Sequence, residues 1–256
     1  MMNVILSGAS GRMGKAVRLA AREAGIPIAF GIDISAGDPG GLAIYPSFAE
    51  CPPPPENAVI IDFSLPAALR GLAEYAKRYS LPCVLAATGY DDDQLRLISE
   101  TAKLVPVFRS GNMSLGVCAM RAAAKVLSQI LAGYDIEIVE KHHNKKKDAP
   151  SGTALALYES VRREDSEMIL DRSGLDRPRK ENEIGISSVR GGTVTGEHEV
   201  GFYGPDESVL ITHRAQSRAI FAAGALKAAA FLTDKSRGLY GMDDLTVALI
   251  GRAARQ

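Results

Sequence analysis

The chain has 256 residues, 30 basic against 30 acidic, and 46% of it is hydrophobic, enough for one large or two modest domains with cores of their own. Balanced charge excludes a dominant nucleic-acid footprint or membrane-surface patch, and no apolar run reaches the roughly 18 residues of a membrane span. The three cysteines, Cys51, Cys83 and Cys118, are widely spaced and form no Cys-x-x-Cys pair, so they read as reduced, buried thiols of a cytoplasmic protein with no metal site. Met1 leads into a strand-like segment within three residues, so no leader peptide is expected.

Short apolar runs alternate with helix-period segments through the first part of the chain. Val4–Ser7, Ile28–Ile32, Val59–Phe63, Cys83–Ala86 and Val105–Phe108 read as strands, and Arg12–Ala24, Pro66–Tyr79 and Asp91–Ala102 as helices. Apolar strands alternating with helices predict an α/β, Rossmann-like, doubly wound parallel sheet. The run Pro52–Pro55 reads as a rigid surface spacer.

Beyond a long helix, Leu115–Leu131, the texture changes. Ile136–Lys141 reads as a strand, Thr153–Arg163 as a helix and Lys180–Glu183 as part of a polar loop. Three strand-like runs follow without helices between them: Ile184–Arg190, Glu197–Tyr203 and Ser208–His213. Gly191-Gly192 and Gly204-Pro205 punctuate them as hairpin connections. Consecutive strands predict a second, α+β domain on a mixed or antiparallel sheet. Ser217–Leu232 is a helix, and Gly-Leu-Tyr-Gly-Met-Asp-Asp a turn before Leu245–Ile250.

Directly after the first strand stands Gly8-Ala9-Ser10-Gly11-Arg12-Met13-Gly14, opening a helix. This G-x-x-G-x-x-G spacing is a variant of the dinucleotide fingerprint: glycines let the backbone approach a pyrophosphate, and helix N-terminal N–H groups meet its charge. The Arg12 guanidinium is placed to add a charge-assisted contact. The second strand ends at Asp33, placed to take both ribose hydroxyls. Ile34 follows it, and an acidic side chain with no adjacent cation disfavours a 2′-phosphate, so NADH is favoured over NADPH. Two further strand ends, Ala86-Ala87-Thr88-Gly89 and Ser110-Gly111-Asn112-Met113, carry small residues that leave room for a nicotinamide ring, or are ordinary strand–helix turns.

Residues 140–154 read Glu-Lys-His-His-Asn-Lys-Lys-Lys-Asp-Ala-Pro-Ser-Gly-Thr-Ala. Strand alternation puts Ile136, Ile138, Glu140 and His142 on one face and His143 on the other, so the two histidines make a poor shared metal site. A histidine followed at once by lysines is a natural general acid. Ser151-Gly152-Thr153 opens the next helix, with Ser151 as cap and the N–H groups and Thr153 hydroxyl as a carboxylate site.

The run E-x-H-H-N-x-K-x-D-A-P-S-G-T-A, with G-A-S-G-R-M-G at the N-terminus, resembles the dihydrodipicolinate reductase family of lysine biosynthesis. The likeness extends to Val-Arg-Gly-Gly-x-Val-x-Gly-Glu-His (189–198), Ile-Thr-His-Arg-Ala-x-Ser-Arg (211–218) and the Gly-Leu-Tyr-Gly-Met near the C-terminus. The resemblance implies catalytic roles for His142 and Lys146 as proton donors, substrate contact for His143, and a carboxylate grip by Gly152 and Thr153. It implies cofactor contacts from Gly8, Ala9, Ser10, Gly11, Arg12, Met13, Asp33, Ala86, Ala87, Thr88, Ser110, Gly111, Asn112 and Met113. The chain departs from the family pattern where G-T-T-G and A-N-F are usual and Ala86-Ala87-Thr88-Gly89 and Gly111-Asn112-Met113 stand instead.

The expectation is a cytoplasmic oxidoreductase in two domains. Residues 1–113 with 224–256 would bind the dinucleotide, and 114–223 would bind substrate and assemble a homotetramer. Substrate is a small dicarboxylate, 4-hydroxy-tetrahydrodipicolinate, reduced to tetrahydrodipicolinate with NADH or NADPH. The alternatives are another NAD(P)-dependent dehydrogenase of a small carboxylic acid and a non-catalytic dinucleotide-sensing protein. The first, acting on a semialdehyde, would want a nucleophilic cysteine in a cleft. The second would have no use for His142, Lys146 and the anion turn together.

Overall fold

A computed structural model describes residues 1–35 and 41–253. The chain opens with β1 (Asn3–Ser7), α1 (Arg12–Glu23), β2 (Ile28–Ile32), β3 (Ile44–Tyr45), β4 (Ala58–Asp62) and α2 (Leu69–Tyr79). It continues through β5 (Cys83–Leu85), α3 (Asp92–Ala102), β6 (Pro106–Arg109), α4 (Leu115–Ile130), β7 (Asp135–His142) and α5 (Gly152–Val161). Then come β8 (Glu167–Ile169), β9 (Glu183–Arg190), β10 (Glu197–Tyr203) and β11 (Ser208–Arg214), before α6 (Ala219–Leu232), β12 (Gly238–Tyr240) and α7 (Met242–Ala253).

Two compact units result, Met1–Leu115 with Arg218–Gln256 and, between them in sequence, Gly116–Ser217. The return to the first unit comes earlier than the expected residue 224, because α6 is one continuous helix lying over β4, β5 and β6. Residues 254–256 of the expected first domain lie outside the described residues.

The first unit is a Rossmann-like sheet of seven parallel strands in the order β12-β6-β5-β4-β1-β2-β3. Its central strands are apolar on both faces, as a doubly covered sheet demands. Ile5, Ile60 and Leu85 pack with Leu72, Tyr75 and Ile98 of α2 and α3, while Val4, Leu6, Val59 and Ile61 are also fully or almost fully buried. A capping box starts α3: Asp91 accepts the Gln94 N–H (2.8 Å) while the Gln94 side chain accepts the Asp91 N–H (3.0 Å). The expected helix from Pro66 begins as a 3₁₀ turn, Pro66–Ala68, and becomes α-helical at Leu69. The expected turn 238–240 is instead the edge strand β12, and β3 and β8 went unanticipated because two- and three-residue strands carry no periodicity.

The second unit is a five-stranded mixed sheet, β11-β10-β7-β9-β8. Its strand β7 is antiparallel to β10 and parallel to β9. One face, with Ile136, Ile138, Ile186, Val200 and Phe202, packs against Met120 and Ala124 of α4 and Ala154, Leu157 and Tyr158 of α5. Gly204-Pro205 closes a hairpin between β10 and β11, Gly204 N–H reaching Glu207 O at 2.9 Å. Gly191-Gly192 does not close one. Both β9 and β10 pair with β7, so their connection crosses the end of that strand, with Gly191 N–H on His142 O (2.9 Å) and Asn144 N–H on Gly192 O (3.2 Å).

Candidate functional site

In the first unit the turn after β1 is built for close backbone approach. Gly8 has φ +79°, and a Cβ there would lie 2.8 Å from the Phe63 carbonyl; at Gly14 it would lie 2.2 Å from Gly8 O. The turn hangs on the end of β2, since Gly8 N–H reaches Ile32 O at 2.8 Å. No side chain caps α1 and its first turn holds no acidic residue, so the helix N-terminus presents N–H groups and Arg12 to an anion. These residues fit a dinucleotide pyrophosphate.

Asp33 stands just beyond β2, its carboxylate accepting the N–H groups of Ser10 (2.9 Å) and Ser35 (3.0 Å). The Ser10 N–H is therefore committed to orienting Asp33. Ala9 is fully buried with its N–H on Ile32 O (3.3 Å), and Ile34 beside Asp33 is 87% exposed. At the neighbouring strand ends Ala86 and Ala87 are buried and Thr88 exposed, and the Thr88 methyl lies 3.5 Å from where a Gly111 Cβ would stand. Ser110 Oγ donates to Asn112 O (2.7 Å) and shapes that loop. Met113, expected at the cofactor, has a buried side chain, and a Cβ at Gly224 of α6 would run into its carbonyl, so Met113 belongs to the core. Between the loops Asp62 is buried at the end of β4, where burial pushes its carboxyl up against the opposing hydrogen bonds of Ser64 and Ser7.

The second unit gathers the other chemistry at one end of β7. Cross-strand register sets His198 of β10 opposite Glu140, and Arg190 of β9 opposite His142, all toward the buried face. Glu140 is completely buried and its oxygens meet donors from His142, Arg190, Ser151 and Ser188. His142 Nδ1 lies 2.6 Å from Oε2, Arg190 donates to both oxygens (2.8 and 2.6 Å), and Ser151 N–H reaches Oε1 at 3.1 Å. Burial alone would raise this carboxyl, but the bonds from Arg190 and His142 outweigh it and hold Glu140 down to about 2. His198 packs edge-on to His142, ring centroids 5.1 Å apart, with its Nε2 3.0 Å from Ser151 Oγ. Burial, helped by the neighbouring His142, holds His198 down to about 4, so it is neutral near pH 7.

Ser151 caps α5 as expected, its Oγ accepting the Ala154 N–H at 3.1 Å. Its expected contact with substrate gives way, because Ser151 is buried and both its N–H and its hydroxyl are bonded within the protein. In the first turn of α5 Gly152 is exposed and Thr153 half-buried. Lys146 is half-buried in the loop between β7 and α5, its backbone N–H on His143 O (3.1 Å) and its ammonium 2.8 Å from Asp148. His143, just past the strand, is half-buried, and its Nδ1 is buried with no hydrogen-bond partner in the protein. Among the described residues no group of three or more His, Cys, Asp or Glu is placed to hold a metal. Cys83 is buried and Cys51 half-buried, and burial pushes these thiols up to about 12 and about 11, unsuited to nucleophilic attack.

Glu140, Arg190 and His198 were not anticipated as site residues. The signal was partly present: Glu140 shares a face with His142, and Arg190 and His198 fall within the 189–198 run. What placed them was the order of strands around β7.

Family models describe both halves of the chain: "Dihydrodipicolinate reductase, N-terminus" matches residues 2–113 and "Dihydrodipicolinate reductase, C-terminus" matches 116–246. A 4-hydroxy-tetrahydrodipicolinate reductase of Clostridium novyi is 45% identical over 251 residues, 96% of this chain and 98% of the relative. That of Caldanaerobacter subterraneus subsp. tengcongensis is 43% identical over 249 residues, with the same coverage. The solved dipicolinate-bound dihydrodipicolinate reductase of Paenisporosarcina sp. TG-14 has a similar fold, with TM-score 0.72 and 20% identity over 95% of this chain and 99% of that one. With both halves matched and relatives above 40% identity end to end, the chain belongs to the dihydrodipicolinate reductase family.

Proposed function

We propose that this chain reduces 4-hydroxy-tetrahydrodipicolinate to tetrahydrodipicolinate with NAD(P)H, in lysine biosynthesis. The observation that carries the reading is the joining of His142 and the N-terminus of α5 through one buried carboxylate, Glu140, with Lys146 in the loop between them. The glycine turn at Gly8–Gly14, with Arg12, holds the pyrophosphate, and Asp33 takes the ribose hydroxyls. Thr88 and the loop of Ser110, Gly111 and Asn112 line the nicotinamide end. When bound, the reduced nicotinamide supplies a hydride to C4 of the substrate ring, where hydroxyl is lost as water.

The chain's own residues do the rest. Gly152 and Thr153 grip one substrate carboxylate at the start of α5, and His143, half-buried just past β7, meets substrate. Lys146 adds positive charge to the dianion and serves, with His142, as proton donor. Such general acids contribute about 10²–10⁴ in rate. We assign NADH as the preferred cofactor, because the residue that follows Asp33 is exposed Ile34 and not a cation suited to a 2′-phosphate. A homotetramer working in the cytoplasm completes the reading; what supports assembly through the outer face of the mixed sheet is that Val189, Tyr203 and Leu210 are exposed on it.

A coupled assay of NADH oxidation on freshly generated 4-hydroxy-tetrahydrodipicolinate tests this directly. Turnover by the wild type, with a higher kcat/KM for NADH than for NADPH, and its loss in the His142→Ala, Lys146→Ala double variant are expected. Turnover retained by the double variant would remove the roles assigned to those side chains. Turnover only on another small acid would remove the substrate.

A further inference from the structure

We propose that Glu140 is a positioning residue that fixes the tautomer of His142, so that Nδ1 always carries a proton and Nε2 alone exchanges one with substrate. This rests on the reading of His142 as proton donor. An ionised carboxylate only accepts hydrogen bonds. The Nδ1 of His142 lies 2.6 Å from Glu140 Oε2, so the proton in that contact belongs to the imidazole. Glu140 remains ionised because Arg190 grips both its oxygens from β9, and Arg190 is itself anchored on Asp148 O at 2.8 Å.

The other ring nitrogen faces the β9–β10 connection. A Cβ at Gly196 would stand 3.0 Å from His142 Nε2, so the absent side chain leaves that nitrogen its space. The charged and titratable groups around the ring are Glu140 on its own strand, Arg190 from β9, His198 edge-on from β10, and Lys146 from the following loop. Of these, Glu140 alone has a hydrogen bond to the ring, and it also accepts the Ser151 N–H at 3.1 Å. One carboxylate thus sets both the direction of the proton donor and the start of the carboxylate-binding helix.

Glu140→Gln makes a definite prediction. The position of Oε1 faces two permanent donors, Arg190 and Ser151 N–H, whereas Oε2 faces Arg190 and His142. Ser188 also bonds this carboxylate; of the donors on Oε2, Arg190 cannot accept, whereas His142 can, by moving its proton. The glutamine oxygen therefore settles toward Ser151, its NH₂ turns to His142, and the ring switches to the Nε2–H form. Nitrogen-15 NMR of histidine-labelled wild-type protein should show neutral His142 with the proton on Nδ1, and the variant should show it on Nε2. With the tautomer wrong, kcat should fall on the order of 10²–10⁴-fold, while KM moves less than about threefold because the α5 turn keeps its donors. Glu140→Asp should recover part of the rate.

An Nε2–H ring in the wild type, a measurement that needs no variant, would overturn the proposal. So would a folded Glu140→Gln enzyme, verified by unchanged NADH binding, with wild-type kcat. His142→Gln separates the two levels: if it turns over normally, the proton-donor reading itself is wrong and the proposal falls with it. If it is inactive while the wild-type ring is Nε2–H, the role of Glu140 alone is lost.

Discussion

Changing Ser151 to Ala removes a single oxygen that serves two partners in a buried place. The Oγ accepts the Ala154 N–H at 3.1 Å, a helix cap whose loss costs about 0.5–2 kcal/mol. It also bonds His198 Nε2 at 3.0 Å, and a buried ring nitrogen left alone costs about 1–3 kcal/mol more. The two act on different groups, so a total of about 1.5–5 kcal/mol, centred near 3, is expected. Urea unfolding followed by circular dichroism should show the midpoint lowered by about 1 M, taking a slope of about 3 kcal/mol/M. The KM for substrate should change less than about threefold, because the Ser151 N–H and the first-turn donors of α5 are backbone groups. An unchanged midpoint with a KM raised tenfold or more would mean that the hydroxyl works on a ligand, and the reasoning from its partners would be refuted.

Gly14→Ala puts a Cβ into the Gly8 and Ala9 carbonyls, which are backbone and cannot swing aside, so NADH affinity measured by fluorescence titration should fall at least about tenfold, or about 1.4 kcal/mol. Asp33→Asn loses charge-assisted bonds to the ribose worth about 1.5–3 kcal/mol; the KM for NADH should rise about 10–100-fold and that for NADPH should not. Stability should decline steadily on acidification, in two overlapping stages. His198 takes up its proton at the ordinary 6.5 when unfolded but only near 4 when folded, so falling pH favours the unfolded chain through that window, by on the order of 3 kcal/mol. Glu140, at about 2 when folded against an ordinary 4.5, gives stability that is complete above 4.5 and lost as pH falls toward 2. Urea midpoints between pH 7 and 4.5 check the first stage, which His198→Asn should largely abolish.

The glycine turn after β1 was legible in the sequence because its logic is local: Gly8, Gly11 and Gly14 fall within one strand–helix turn, and Asp33 directly follows the very next strand. The face shared by Glu140 and His142 was likewise fixed by alternation along one strand. The partners of that face were not, for a physical reason. Arg190 and His198 lie about 50 residues away in sequence and reach Glu140 only because β9 and β10 flank β7 instead of pairing with each other. A glycine pair between two strands carries the same local signal in a hairpin and in a crossing, so Gly191-Gly192 could not distinguish them. Ser151 shows the same limit. Its residue type announced a cap, but its burial and its bond to His198 depend on a strand that comes later. Met113 sat in a loop of small residues, and only the close passage of Gly224 on α6 turned it into core.

A crystal structure with a reduced cofactor and an unreactive dicarboxylate analogue of the substrate bound together tests the central assignment most directly. One carboxylate is expected within hydrogen-bond distance of the Gly152 and Thr153 N–H groups, and His142 Nε2 within reach of the ring, with Nδ1 still on Glu140. An analogue whose ring lies beyond contact of both His142 and Lys146, with α5 bearing no carboxylate, would contradict the account.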